Sequence, residues 1–190
     1  MRRTNKDRSE SMRQALIEAG RALFIEKGYA DTSTPEIVNR AGVTRGALYH
    51  HFEDKKDLFR AVVEREAGEI ANDIDAAAPA DDGPRQAILE GTKAYFDAMA
   101  RPGRTRLLLL DGPAVLGKDI MRAIDRETSE ATLKHGLQAL LSKSDNKDNA
   151  ETLAILLSAA FDRAALAIET GAERQRYEDA IASLIDGLTD

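Results

Sequence analysis

Apolar side chains in this chain recur at alternating steps of three and four. Met12, Leu16, Ala19 and Leu23 form one such row. Ile88, Thr92, Tyr95 and Met99 form a second, and Tyr177, Ile181, Leu184 and Leu188 a third, with Ala180 and Ile185 beside it. That spacing lines one face of an α-helix and excludes the two-residue alternation of a half-buried strand. Aromatic residues make up only 5% of the chain and Trp is missing, so the core is built from Leu, Ile, Val and Ala, which suits helices. The sequence therefore predicts an all-α fold of about nine helices. At about 150 residues per domain, 190 residues make one large domain or two small ones.

Capping residues divide the first third of the chain. Gly28 stops the first helix. Ser33 and Glu36 have the spacing of a capping box, and Pro35 is tolerated in the first turn it opens. The resulting helix runs only from Glu36 to about Ala41, because Gly42 breaks it. Thr44 can cap a third helix, Arg45 to Phe52, and Asp54 a fourth, with Leu58, Val62 and Val63 inside. Asp73 to Pro84, rich in Ala, Asp, Pro and Gly, reads as a loop. A helix around Ile88–Met99 ends at Arg101-Pro102-Gly103. A long helix is expected from Asp119 to Leu141, a polar break from Ser142 to Asp148, and then helices over about 150–170 and 174–188.

The net charge is −6, which argues against nucleic acid as a partner of the whole surface. The distribution is uneven, however. Residues 1–60 hold 12 basic and 9 acidic side chains, a net +3, and the remainder carries −9, as expected for a small basic module on an acidic body. The absence of Cys removes disulfides, thiolate metal sites and a cysteine nucleophile, and it fits a reducing cytoplasm. Three His are too few for an imidazole-rich metal site. The charged start, Met1 to Arg8, is followed by no apolar stretch, and the longest apolar run, Leu107–Leu110, is far too short to span a bilayer. Neither a leader nor a membrane partner is expected.

Residues 33–52 have the spacing of a helix-turn-helix: two helices of under three turns joined at Ala41-Gly42-Val43. Ile37, Val38, Val43 and Leu48 would pack the pair together. Arg45, Gly46, Ala47, Tyr49, His50 and His51 would stand on the free face of the second helix. Small side chains at Gly46 and Ala47 allow close approach to base edges. Arg45 can pair bidentately with guanine, and Ala47 can meet a thymine methyl. Tyr49, His51 and Lys55 can reach phosphates, and Ser33, Thr34 and Thr44 lie at helix N-termini whose N–H groups favour phosphate.

The run Ala41-Gly42-Val43-Thr44-Arg45-Gly46-Ala47-Leu48-Tyr49-His50-His51-Phe52, followed by Lys55-Lys56-Asp57-Leu58, resembles the TetR family of bacterial transcription regulators, with Leu23, Phe24 and Gly28 extending the likeness over residues 9–69. One departure is Pro35, where family members often carry a side chain able to touch DNA. The resemblance implies a DNA-binding domain over 9–69, with its motif at 33–52, and a ligand-binding and dimerisation domain over 70–190. It implies a homodimeric repressor on a palindromic operator of double-stranded DNA, released by a small-molecule ligand, with helix 55–72 as the lever between domains. It implies no catalytic residue, metal or cofactor. Tyr95, Phe96, Met99, Arg106, Asp111 and His135 are the candidate pocket residues. Leu153, Leu157, Phe161, Ala164, Ile168, Ile181, Leu184 and Leu188 are the candidate dimer residues, although a monomeric core would use the same types.

Two other readings stand beside this one. A helical adaptor that has lost DNA binding would share the architecture but should carry a damaged recognition helix. A nucleotide hydrolase is suggested by Gly112-Pro113-Ala114-Val115-Leu116-Gly117-Lys118-Asp119, which nearly matches a phosphate-binding loop. It fails at Asp119, which has no hydroxyl for magnesium, and the chain offers no parallel strands around it. That stretch reads better as a turn in which Asp111-Gly112-Pro113 ends one helix and Asp119 favours the next. The acidic pairs Asp73/Asp75 and Asp81/Asp82 read as solvated charge.

Overall fold

The computed structural model describes residues 5–78, 83–144 and 146–189. Among them there is no strand. The helices are α1 (Asn5–Asp31), α2 (Thr34–Ala41), α3 (Arg45–His51), α4 (Lys55–Ala77), α5 (Gly83–Met99), α6 (Arg104–Arg106), α7 (Gly112–Leu116), α8 (Lys118–Arg126), α9 (Ser129–Leu140), α10 (Ala150–Glu169) and α11 (Arg174–Asp186). A π-helical turn, Leu107–Asp111, joins α6 to α7, and a 3₁₀ turn, Lys147–Asn149, leads into α10. Contacts divide the chain into two units. The first holds residues up to Glu66 together with Arg106–Lys118, and the second holds Ala67–Thr105 together with residues from Asp119 onward. Helix α4 supplies its first half to one and its second half to the other.

In the first unit, Leu16, Leu23 and Phe24 of α1 meet Ile37 and Val38 of α2, Leu48 of α3, and Leu58, Phe59, Val62 and Val63 of α4, all buried. Phe24 and Phe59 stack edge to face with centroids 5.0 Å apart, and Tyr29 lies 5.1 Å from Phe59. Helix α1 breaks where the sequence places the break. Gly28 has φ 82° and ψ 168°, a region that L side chains hardly enter. The reversal behind it is held by side chains: Thr32 Oγ1 donates to the Gly28 carbonyl at 2.7 Å and the Leu23 carbonyl at 3.2 Å. Glu66, fully buried on α4, accepts a bidentate pair from Arg21 of α1, at 2.7 and 3.1 Å.

In the second unit, α9 lies against α5 and α10, and α11 against α5. Arginine pairs fasten both ends of α11. Arg85 donates twice to Asp186 at 2.5 and 2.8 Å, and Arg174 reaches Asp97 at 2.5 Å and the Lys93 carbonyl at 3.0 Å. Arg104, 1% exposed, donates to the Ala98 carbonyl and to Glu69 of α4.

Three boundaries differ from the sequence reading. Helix α4 runs on to Ala77 rather than ending near 72, since Ala76 and Ala77 are strong helix formers and Ile74 finds an inner place; Asp81 and Asp82 lie outside the described residues. The expected long helix 119–141 is two, α8 and α9. The Thr128 hydroxyl donates to the Ile124 carbonyl at 2.8 Å, competing with the backbone ladder, and Thr128 leaves the helical region. Gly112 and Pro113 do not end a helix. The chain passes through the π turn, where the Gly112 N–H bonds the Leu107 carbonyl, into α7, and the real break is Gly117 at φ 91°. The wider turn makes room for the Pro113 ring. The near-match to a phosphate loop is thus mostly helix.

Gly28→Ala tests the break at the end of α1. A Cβ there would come within 3.0 Å only of Arg106 Nη2, the movable end of a side chain, so the cost is conformational, about 1–3 kcal/mol. Thermal unfolding followed by circular dichroism should show a lower Tm. An unchanged Tm would mean that the backbone at Gly28 is not held as described.

Candidate functional site

Residues 33–52 form a helix-turn-helix whose corners are made by the capping groups legible in the sequence. Ser33 and Glu36 close the capping box: the Ser33 N–H donates to Glu36 Oε2 at 3.0 Å, and the Glu36 N–H to Ser33 Oγ at 3.4 Å. Glu36 also takes an ion pair from Lys27 of α1. The Lys27 ammonium and the Ser33 donors hold its carboxyl down to about 2. Gly42 turns the chain at φ 67° and ψ 29°, and the Gly42 and Val43 N–H groups close the end of α2 onto Asn39 and Val38. Thr44 then caps α3 by accepting from the Ala47 N–H at 3.2 Å.

Leu48 is the buried residue of α3, while Arg45, Gly46, Tyr49 and His50 are exposed and Ala47 is half-buried. Ser33 and Thr44 are exposed and Thr34 half-buried. Arg45 lies 5.5 Å from the Tyr49 ring centroid. Interaction with Arg45, and then with Thr34, lowers the pKa of the Tyr49 phenol.

Two residues assigned to phosphate are placed otherwise. Lys55 donates to the Tyr29 and Thr32 carbonyls, each at 2.8 Å, and its ammonium lies 4.3 Å from the Tyr29 ring centroid. Two of its three N–H groups thus bond the backbone at the end of α1. His51 is half-buried, and its Nε2 is buried without a hydrogen-bond partner among the described residues. Burial, and then the charges of His50 and Arg13, lower its pKa. The sequence reading missed Arg13, whose guanidinium lies 5.3 Å from the Phe52 ring centroid. A basic residue on the polar side of α1 was its only signal.

The second unit holds a partly open cavity of about 230 Å³ between the last turns of α4 and helices α5, α9 and α10. Ile74, Ile88, Leu133 and Phe161 make its apolar walls. Of the six candidate pocket residues, Tyr95 and His135 line it. Phe96 and Met99 are buried beside a separate hollow next to Arg101–Gly103. Arg106 and Asp111 belong to the first unit, where they pair with each other at 3.4 Å.

Beside the cavity, Tyr95 Oη donates to Asp162 at 2.8 Å and Ser158 Oγ to Asp125 at 3.0 Å. Burial lifts the Asp162 carboxyl to about 6, against the pull of the Tyr95 hydroxyl and with help from Asp125. Burial also raises Asp125, and it raises Tyr95 far above its ordinary range. Sequence reasoning missed both acids. The clue was Ser158 and Asp162, four residues apart on an otherwise apolar helix.

The candidate dimer residues divide by register. Leu157, Phe161, Ala164 and Ile181 are buried within the chain, and Phe161 lines the cavity. Leu153, Ile168 and Leu188 are half-buried. Leu184 is 54% exposed, and α10 also turns outward Leu156, at 62%, and Ile155, at 49%, two residues that the sequence reading did not name. Among the described residues, no helix is long and apolar enough to cross a membrane, and no group of His, Asp or Glu is placed to hold a metal ion.

This is a helix-turn-helix DNA-binding regulator with a second helical unit. Residues 16–62 match the family described as bacterial regulatory proteins, tetR family, and residues 85–190 match the tetracyclin repressor-like C-terminal domain. The chain is 31% identical over 159 residues to the HTH-type transcriptional regulator AcrR of Shigella flexneri, covering 76% of this chain and 73% of that one. It is 45% identical over 65 residues to the HTH-type transcriptional repressor BepR of Brucella suis, covering 34% of this chain and 31% of that one. A crystal structure of a TetR-family transcriptional regulator from Pectobacterium atrosepticum superimposes with a TM-score of 0.73 at 28% identity, over 98% of both chains. The chain belongs to the TetR family of transcription regulators.

The raised Asp162 carboxyl makes stability depend on pH. Its folded pKa, about 6, lies above the ordinary value of 3.8, so the folded state holds a proton that the unfolded state releases. Stability from this group is present at low pH and is lost as pH rises from about 4 to 6. Asp162→Asn keeps an acceptor for Tyr95 without the charge. Its Tm should exceed the parent's above pH 6, with the gap closing by pH 4. A variant less stable at pH 7, or equally displaced at every pH, would contradict the assignment.

Proposed function

We propose that the protein is a cytoplasmic homodimeric repressor whose two α3 helices read a pseudo-palindromic operator, and that a small molecule in the second unit's cavity releases it. The observation that carries the DNA-binding half is the exposed Arg45, held beside Tyr49 at the start of a correctly capped α3. Arg45, Gly46 and Ala47 face base edges, while Ser33, Thr34, Thr44, Tyr49 and His50 serve the phosphates. Lys55 and His51 act from behind, by holding the motif in shape. The intact exposed face of α3 favours this reading over an adaptor.

Dimerisation rests on the apolar faces that α10 and α11 turn outward at Ile155, Leu156 and Leu184, with the small exposed Ala159 and Ala160 beside them. The shared helix α4 couples sensing to reading. A ligand that fits the cavity better in one position of α4 than in another shifts the population toward that position. The Brucella relative is a repressor, which supports repression as the direction of control.

Selection of DNA by the purified protein at a stated salt concentration should enrich a two-fold symmetric sequence with half-sites about one helical turn apart. Arg45→Ala should weaken that complex by about 1–3 kcal/mol and relax one base position in each half-site. An unenriched pool would defeat the operator reading, and an Arg45→Ala protein with unchanged preference would remove Arg45 from base contact.

Leu156→Asp tests the outward face of α10. Sedimentation should show a folded monomer with greatly weakened operator binding, since a buried carboxylate at the interface has no partner. A variant that sediments as the parent does would exclude this face from the dimer.

A further inference from the structure

Five hydroxyl-bearing residues line the cavity: Thr92, Tyr95, Ser129, Thr132 and Ser158. Three of them donate their protons away from its interior. Thr92 Oγ1 donates to the Ile88 carbonyl at 2.8 Å, Tyr95 to Asp162 at 2.8 Å and Ser158 to Asp125 at 3.0 Å. A hydroxyl whose proton is committed offers a visitor only its oxygen lone pairs. Two of these oxygens are further polarised by the carboxylates they serve. The polar wall formed by Tyr95 and Ser158 is therefore an acceptor surface with negative charge behind it.

Among the described residues, no cation balances that charge. No Lys or Arg lines the cavity, and the one charged side chain that does is Asp75. Neither Asp125 nor Asp162 has an ion-pair partner among the described residues. Both rely on a hydroxyl, with the Glu130 backbone adding a donor to Asp125. The remaining titratable side chain of the lining, His135, is exposed. An anion entering at the Tyr95 and Ser158 wall would meet lone pairs and like charge. A neutral donor would gain one hydrogen bond. A cation would gain both the acceptors and the missing countercharge in surroundings of low dielectric.

The other walls set the body of such a ligand. Ile74, Ile88, Leu133 and Phe161 are apolar. Gly91 and Gly136 leave open space that a side chain would close, since a Cβ would stand 3.1 Å from Ile74 and 3.0 Å from Ile88 respectively. We propose that the cavity takes a compact amphipathic monocation, an alkyl- or arylalkylammonium. Its apolar body lies among the α5, α9 and α10 side chains, and its N–H groups meet Tyr95 Oη and Ser158 Oγ. This inference rests on the reading of the second unit as the sensor and names the chemical class that it senses.

The test is calorimetric titration of the full-length protein, without DNA, using three compounds of one skeleton at pH 7.5: 4-phenylbutylamine (protonated), 4-phenylbutanol and 4-phenylbutyrate. The amine should bind at least about tenfold more tightly than the alcohol, and the butyrate more weakly than either. In Asp162→Asn, and further in Asp125→Asn with Asp162→Asn, the amine should fall to the affinity of the alcohol while the alcohol binds as before. That unchanged alcohol affinity also shows that the variant cavity is intact. Should the double variant not fold, as judged by circular dichroism, Asp162→Asn alone decides, since it removes the charge nearest Tyr95. Equal or tighter binding of the alcohol or the butyrate, a preference for the amine that survives the loss of the carboxylates, or no binding by any of the three would overturn the proposal. Release of operator DNA by the amine is scored separately. Selective binding without release retains the cavity chemistry and rejects ligand-released repression.

Discussion

The DNA-reading face depends on how α1 ends. A helix leaves its last carbonyls without partners, and here the chain must also reverse at once so that Ser33 can begin α2. Lys55 resolves both demands, with one ammonium donating to the Tyr29 and Thr32 carbonyls at 2.8 Å each while resting on the Tyr29 ring. Such charge-assisted bonds are about twice as strong as neutral ones. They join the end of α1 to the first residue of α4. Helices α2 and α3, of 8 and 7 residues, are too short to persist alone. They hold their places because α1 and α4 are fixed around them by this corner, by the Phe24–Tyr29–Phe59 cluster and by the Arg21–Glu66 pair. The exposure of Arg45 and Tyr49 is a consequence of that framing.

What could be read from the sequence follows from the range of the interactions involved. The capping box at Ser33 and Glu36, the left-handed Gly42 and the Thr44 cap act within four residues. They are visible in the order of residues, and the structure reproduces them. Lys55 and His51 could not be placed in this way. Lys55 serves carbonyls 23 and 26 residues earlier in the chain, and any backbone carbonyl looks alike in a sequence. His51 looks like a surface residue at the end of a helix until its burial is known. Thr128 failed for the opposite reason. Its effect is local, but a Thr in a helical pattern ends the helix only when its hydroxyl turns back on the preceding turn.

In the second unit the difficulty was register. Leu156 and Leu157 are adjacent and chemically identical, about 100° apart around α10, yet one is 62% exposed and the other 7%. The positions of α9 and α5 decide which faces in. The apolar pattern therefore located the helix and its amphipathic character without telling the core from the outward face, and Leu157, Phe161 and Ala164 were assigned to the wrong side. Arg106 and Asp111 belong with the first unit because residues 106–118 return to it from the middle of the second, a long-range grouping that helical periodicity does not encode.

One fully buried carboxylate and two half-buried ones coexist in this chain, and they are met differently. Glu66 is fully buried and is met by a bidentate guanidinium, the arrangement that makes a buried charge tolerable in a structural role. Asp125 and Asp162 have hydroxyls and a backbone N–H instead, and burial raises both carboxyls. If packing were their only purpose, Asn at either position would keep the hydrogen bonds without the desolvation cost. The cost falls beside a cavity, where a ligand can return it as binding energy, and strained protonation equilibria are concentrated at such sites. A regulator gains from this arrangement. Under the proposed ligand chemistry, an occupant of opposite charge offsets that desolvation, and the resulting difference in affinity between two positions of α4 is what shifts the population.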